Sequence, residues 1–247
     1  DLYLTLKQAE HYLKYTLRMG LARRFVTGAL ENLRRVLSYY QRRGADLEEA
    51  IAQIQALSEA ACRASSVPEL MALEGNAREL YYHAWARFLP PEFSLDRRTR
   101  RPPTTPVNAL VSFLNSLLYT AVLGQIYQTH LDPRIGFLHE TNYRRHALNL
   151  DVAEIFKPTF VDRLIFRLIN RRQIGPKHFL REGGGVFLNE RGRKEVVKEW
   201  EAFLQTTHKH PTLKRSVSWR TTLRLELYKL EKHLIGDAIY EPFRHRS

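Results

Sequence analysis

From Pro102 to His130 the sequence carries no charged residue, and this stretch limits the possible folds more than any other feature. Its apolar part, Val107 to Tyr127, approaches the roughly 20 residues that a helix needs to span a bilayer. Asn108, Asn115, Gln125 and Gln128 recur through it, however. Hydrocarbon penalises such amides, whereas a protein interior can pair them. The expectation is a buried central helix and no membrane contact, with Thr105 as cap and Pro106 at the first helical position. The remaining segments must then supply apolar faces to cover it.

They do so at helical spacing. Leu21, Phe25, Ala29, Leu33, Val36, Leu37 and Tyr40 keep a 3.6-residue period, and Gly44 follows as a stop. Asp46 with Glu49, and Ser66 with Glu69, read as capping boxes that start helices running to about Arg63 and through Glu74 and Tyr82. Pro90 to Thr105 reads as a basic, proline-rich loop. Further helices are expected from about Asn142 to Lys157, from Glu190 to Leu204 and from Trp219 to Leu234, with Pro158 kinking or breaking the chain. Val186 to Leu188, after three glycines, is the only strand-like segment. The fold class expected is all-α, with at most a short β-hairpin, in a single multi-helix domain over residues 1–247. The core of the site falls within 66–158, followed by a C-terminal helical part over 159–247.

With 44% hydrophobic and 26% charged residues, the composition excludes a disordered chain. Cys62 is the single cysteine, which excludes an intrachain disulfide and a multi-cysteine metal site and points to a reducing cytoplasm. Lys and Arg number 39 against 26 Asp and Glu, a formal charge of +13. Such an excess calls for a polyanionic partner, of which phosphate backbones are the commonest; anionic membrane surfaces and bare solubility also satisfy it. The N-terminus does not read as a signal peptide. The sequence opens at Asp1 directly into a helical pattern, which reads as the middle of a longer protein.

One constellation carries chemistry: Glu74, His139, Asp151 and Glu154. Asp151 and Glu154 are three residues apart, so a helix puts both carboxylates on one face. Their neighbours Leu148, Leu150, Val152, Ile155 and Phe156 are apolar, so at least one acid borders the interior, where a divalent cation would supply the missing charge. Glu74 faces inward if its helix follows Leu70, Leu73, Ala77 and Leu80. The same acids admit an ordinary reading as ion-pair partners of Arg144, Arg145 or Lys157. Arg97, Arg98, Arg100 and Arg101 form the densest positive run, near Tyr81, Tyr82 and Trp85, aromatics that could stack on unpaired bases or pack in a core. Arg144 with Arg145, Arg171 with Arg172, and Arg191, Arg193 and Lys194 add further charge. Gly183-Gly184-Gly185 is not followed by Gly-Lys-Ser/Thr and is no phosphate loop.

Several segments in order resemble one family. Leu21-Ala22-Arg23-Arg24-Phe25 through Glu31-Asn32, Leu73-Glu74-Gly75-Asn76-Ala77, Arg100-Arg101-Pro102-Pro103 with Pro106-Val107-Asn108-Ala109-Leu110, Gly136-Phe137-Leu138-His139, and Leu150-Asp151-Val152-Ala153-Glu154-Ile155-Phe156-Lys157-Pro158 are similar to the catalytic domain of the spacer integrase and endonuclease of CRISPR adaptation systems. The resemblance implies a Mg²⁺ or Mn²⁺ site made by Glu74, His139 and Glu154, with Asp151 close by as a catalytic residue. It implies transesterification, in which the 3′-hydroxyl of a captured DNA fragment attacks a phosphodiester of the CRISPR repeat. It further implies DNA contacts by Arg97, Arg98, Arg100, Arg101, Tyr81, Tyr82, Arg144 and Arg145, a small CRISPR-associated adaptation protein as partner, and a homodimer. The family carries a β-rich N-terminal domain that mediates dimerisation, and the start at Asp1 reads as lacking it. Leu114 stands where a glycine is expected after Ser112-Phe113. A non-catalytic helical nucleic-acid-binding module, and a helical scaffold subunit, are the rival readings.

Overall fold

Local signals set most of the element boundaries in the computed structural model, which describes residues 1–140 and 146–246. Asp1 caps α1 (Leu2–Leu13) by accepting from the Tyr3 amide, and Lys14, in an extended conformation, separates it from α2 (Tyr15–Arg42). Gly44, at φ +104°, ends that second helix as its position predicts. The expected cap at Asp46 is corrected: α3 (Glu48–Cys62) has Leu47 at its N-cap with no side-chain hydrogen bond. Asp46 is drawn instead toward Arg87, 3.8 Å away. Ser66 does cap α4 (Val67–Ala84): its hydroxyl accepts from the Glu69 amide at 3.2 Å, while the Glu69 carboxylate reaches back to the Ser65 amide at 3.0 Å. Thr105 caps α5 (Pro106–Ile126) in the same way.

After α6 (Ala147–Lys157) the chain neither breaks nor bends away at Pro158. It passes through one π-helical turn, Pro158–Asp162, and continues as α7 (Arg163–Asn170). The wider turn accommodates a proline that lacks an N–H to donate. Asn142, where α6 was expected to start, lies outside the described residues. Strands β1 (Phe179–Glu182) and β2 (Gly185–Leu188) form an antiparallel hairpin turned by Gly183 and Gly184, both at positive φ. Then come α8 (Glu190–Gln205), β3 (Thr207–Lys209), β4 (Ser216–Ser218) and α9 (Trp219–Leu234). The second hairpin, β3 with β4, overturns the expectation of at most one. It is short, and its polar residues carry no alternation that marks a strand.

Helix α5 is long and apolar enough to cross a membrane by length and composition, yet it packs against α6, α9 and β2. Val107, Leu110, Val111, Leu114, Leu118 and Val122 are wholly buried. Leu114 therefore fills core volume where a glycine was expected. Asn108 bonds to the Arg97 carbonyl and Thr105 hydroxyl, whereas Asn115 Oδ1 and Gln125 Oε1 are buried without a partner among the described residues. The tail after α9 returns over α2. Its Tyr240 hydroxyl and Phe243 amide both donate to Glu226, at 2.6 and 2.8 Å. Asn32 ties three segments together, donating to the Ile155 and Phe243 carbonyls and accepting from the His245 amide. Gly28 permits that crossing, since a Cβ there would lie 2.5 Å from Pro242.

Candidate active site

Asp151 is fully buried on α6, and its carboxylate organises the segment before that helix. Oδ2 accepts from the Phe137 and Leu138 amides at 2.6 and 3.1 Å, and Oδ1 accepts from the His139 amide at 2.9 Å. Oδ1 also faces His139 Nδ1 at 2.7 Å. With Nδ1–H donating to this oxygen, Nε2 keeps its lone pair, the arrangement found in imidazoles that serve as metal ligands or bases. Gly136 allows the close approach, because a Cβ there would meet the Ala147 backbone at 2.7 Å. Both Asp151 oxygens thus accept hydrogen bonds within the chain, an arrangement that orients His139.

The other two acids converge from different helices. Glu74 on α4 and Glu154 on α6 are both buried and share one cation, Arg78. Arg78 Nε donates to Glu74 Oε1 at 3.2 Å, and Nη2 lies 2.5 Å from Glu154 Oε2 while donating to the Glu154 carbonyl. Among the described residues Glu74 Oε2 has no hydrogen-bond partner, and Glu154 Oε2 has only this ion pair. Lys157 Nζ holds the other Glu154 oxygen at 2.5 Å.

These contacts push the two acids apart. Burial raises the Glu74 carboxyl above the usual range, against the pull of Arg78. Burial opposes ionisation of Glu154 as well, but Arg78 and then Lys157 outweigh it and hold Glu154 well below the usual carboxylate range. Desolvation disfavours the charged His139 ring, yet the bond to Asp151 and the nearby carboxylates, including Glu154 and Glu74, raise its pKa overall. Two carboxyls shifted in opposite directions beside a histidine are the kind of split that acid–base and metal chemistry exploits.

Among the described residues, no three His, Cys, Asp or Glu side chains stand together ready to hold a metal ion. Arg78 and Lys157 supply the counter-charge instead. The donor set nevertheless fits a small divalent cation. It offers two buried carboxylates, with Glu74 Oε2 lacking a hydrogen-bond partner among the described residues, and an imidazole whose Nδ1 is held by Asp151.

The residues expected to contact DNA divide sharply. Tyr81 and Tyr82 are buried, packed with Trp85 in an aromatic cluster, and the Tyr81 hydroxyl donates to Asp162 Oδ2 at 2.8 Å. Neither ring is available to a base, which corrects that expectation. Arg98 turns inward, donating to Asn108 Oδ1 at 2.9 Å and to Ser112 at 2.8 Å, so it fastens the loop to α5. Arg97, Arg100 and Arg101 remain exposed. Arg144 and Arg145 lie outside the described residues. Sequence reasoning missed Arg78 and Asp162, and named Lys157 only in the ordinary ion-pair reading, part of which is realised at Glu154. The signal was present: Arg78 lies four residues after Glu74, and Lys157 three after Glu154.

Comparisons to known proteins show the family. The family of CRISPR associated protein Cas1 matches residues 1–202. A CRISPR-associated endonuclease Cas1 of Thermodesulfovibrio yellowstonii is 50% identical over 242 residues, covering 98% of this chain and 73% of that relative. The solved structure of a Cas1 protein from Thermotoga maritima superposes with a TM-score of 0.85 at 47% identity, over 95% of this chain and 71% of the other. A casposase bound to integration product shares the fold, with a TM-score of 0.82 at 20% identity over 96% of this chain and 70% of that one. The expectation of a protein lacking the β-rich N-terminal domain is withdrawn. The match covers 98% of this chain and 73% of the relative's length, and nothing about a further domain is read from the position at which the sequence starts. By the span and identity of these matches, the chain belongs to the CRISPR-associated Cas1 family.

Proposed function

We propose that this chain is a metal-dependent DNA integrase and endonuclease of CRISPR adaptation. The reaction joins the 3′-hydroxyl of a captured DNA fragment to a phosphodiester of the CRISPR repeat; with water as nucleophile the same site nicks DNA. One observation carries the reading. Two buried carboxylates from separate helices, Glu74 and Glu154, converge on Arg78, with Lys157 also held against Glu154, beside a histidine oriented by Asp151. Burying two acids and an imidazole together is costly unless a cation is part of the design.

Glu74, His139 and Glu154 would hold Mg²⁺ or Mn²⁺, the imidazole tilting preference toward Mn²⁺. Such an ion lowers the pKa of an attacking hydroxyl and offsets charge that builds on the phosphate. Asp151 keeps Nδ1 of His139 as the donor, so Nε2 faces away with its lone pair. Arg78 and Lys157 keep Glu154 ionised. Exposed Arg97, Arg100 and Arg101 meet the DNA backbone near the site. No nucleotide is consumed, because one phosphodiester replaces another. The reading includes a small CRISPR-associated adaptation protein as partner, two copies of the chain for joining both ends of a fragment, and a cytoplasmic location.

A second reading, a non-catalytic helical nucleic-acid-binding module, draws on the same ion pairs: Arg78 and Lys157 already neutralise Glu154. A joining assay with a labelled 3′-hydroxyl fragment and a repeat-bearing duplex separates the two. Products in Mn²⁺ or Mg²⁺ that vanish with chelator, and in His139→Ala, support the enzyme. DNA binding with no product in either metal supports the module.

A further inference from the structure

Away from the carboxylate cluster, α2, α7 and the C-terminal tail enclose a cavity of about 430 Å³ that shares no lining residue with the candidate active site. Five of its lining side chains are arginines: Arg43 after α2, Arg163 and Arg167 on α7, Arg171 at the end of α7, and Arg246 from the tail. No Asp or Glu lines it. Arg163, Arg167 and Arg171 follow one another every four residues. They therefore form a row about 12 Å long at ~1.5 Å of rise per residue. Like charges at that spacing repel one another and weaken a helix.

The chain does little to relieve this repulsion. Arg163 lies over the Trp219 and Phe203 rings, 5.6 and 5.9 Å from their centroids, and has no carboxylate partner among the described residues. Burial holds its pKa below the usual arginine value, and neighbouring Arg167 lowers it further. Arg167 finds a single carboxylate, Glu199, at 3.7 Å, and its Nε is buried without a hydrogen-bond partner. Arg43 rests against Tyr39, donating to its hydroxyl at 3.1 Å. Guanidinium groups set against aromatic faces, with unused donors and one distant carboxylate among them, are prepared for a polyanion.

We propose that this cavity is a phosphate-binding site separate from the catalytic cluster, in which Arg43, Arg163, Arg167, Arg171 and Arg246 hold successive phosphate groups. Phosphates fit better than one carboxylate, because several positive charges in a row require several negative ones and the guanidinium fork pairs two oxygens at a time. Successive phosphates along one DNA strand rise about 3.4 Å, so the α7 row faces roughly three of them. The same chemistry is offered by a free polyphosphate. The DNA source rests on the function proposed above, whereas the site itself does not.

The test uses the full chain with Arg43→Gln, Arg171→Gln and Arg246→Gln combined. All three residues are exposed, so the fold is retained, and thermal melting checks that. With chelator present to prevent turnover, labelled oligothymidylate is titrated at several salt concentrations. In a second arm, tripolyphosphate is titrated by calorimetry. If the source is a DNA strand, the variant flattens the log–log salt slope by about 2, from three contacts at ~0.7 each. If the source is a free polyphosphate, wild type binds tripolyphosphate, the variant does not, and the DNA slope is unchanged. Either result supports the site. Identical behaviour of variant and wild type in both arms overturns it. Wild-type joining in Mn²⁺ is read from the same preparation, so failure of the enzymatic reading registers separately.

Discussion

Replacing Asp151 by asparagine tests whether this residue anchors the site or acts in its chemistry. The carboxylate accepts four hydrogen bonds, two at each oxygen, from the Phe137, Leu138 and His139 amides and from His139 Nδ1. Asparagine keeps one oxygen and turns the other toward its two donors as an NH₂ group. Two bonds to a charged acceptor are lost, each worth about 1.5–3 kcal/mol, and two buried donors are left unpaired. Allowing for relaxation, the cost is about 3–5 kcal/mol, in line with breaking a buried charged contact. For a domain of this size that lowers Tm by roughly 10–15 °C. Urea unfolding at neutral pH gives the free energy, and hydrogen exchange at the Phe137, Leu138 and His139 amides shows where the loss falls. Joining activity should decline together with stability, since His139 loses its orientation. Unchanged stability with abolished activity would refute this reasoning and return Asp151 to a direct chemical role.

Three further outcomes follow from the charge arrangement. Burial raises the Asp162 carboxyl to about 7 despite the bond from Tyr81; the folded state therefore holds a proton that the unfolded state releases near its ordinary value of about 4, and stability falls as pH rises from about 4 to 7. Asp162→Asn should remove that slope and leave the variant more stable than wild type by a few kcal/mol at pH 8, measured by urea midpoints across pH. Arg97→Gln, Arg100→Gln and Arg101→Gln together should flatten the salt dependence of duplex binding by about 2–3, with unfolding unchanged. By contrast, Arg98→Ala should cost about 1–3 kcal/mol of stability, read by urea unfolding, because Asn108 and Ser112 lose their donor.

Helices were legible because their boundaries are local. Ser66, Thr105 and the Trp219–Leu234 limits of α9 stand where caps and periodicity put them. Asp46 is not the cap: α3 begins one residue later than the pattern implied, at Glu48 after Leu47, and the exposed Asp46 side chain lies 3.8 Å from Arg87. The β3–β4 hairpin depends on pairing across the turn between Lys209 and Ser216, and its strands have no apolar face of their own. At the site, residue types were legible and roles were not. Spacing placed Asp151 and Glu154 on one helix, but only the fold shows Asp151 turned to the 137–139 backbone and Glu154 turned to Arg78. Tyr81 and Tyr82 were read beside a basic loop as stacking platforms; the helix packs them into the core against Trp85.

The central claim is that Glu74, His139 and Glu154 together hold one divalent ion, and direct Mn²⁺ titration tests it without reference to turnover. Calorimetry, with free Mn²⁺ followed by electron paramagnetic resonance, should show Mn²⁺ taken up at this site by the wild-type chain, with affinity falling at acidic pH as His139 protonates. His139→Ala, Glu74→Gln and Glu154→Gln should each weaken it on the order of tenfold to a hundredfold or more, while the Arg97, Arg100 and Arg101 substitutions leave it unchanged. Mn²⁺ binding of wild-type affinity in His139→Ala or Glu154→Gln would contradict the account, because the ion would then be held elsewhere and the buried carboxylates would be partners of Arg78 and Lys157 only.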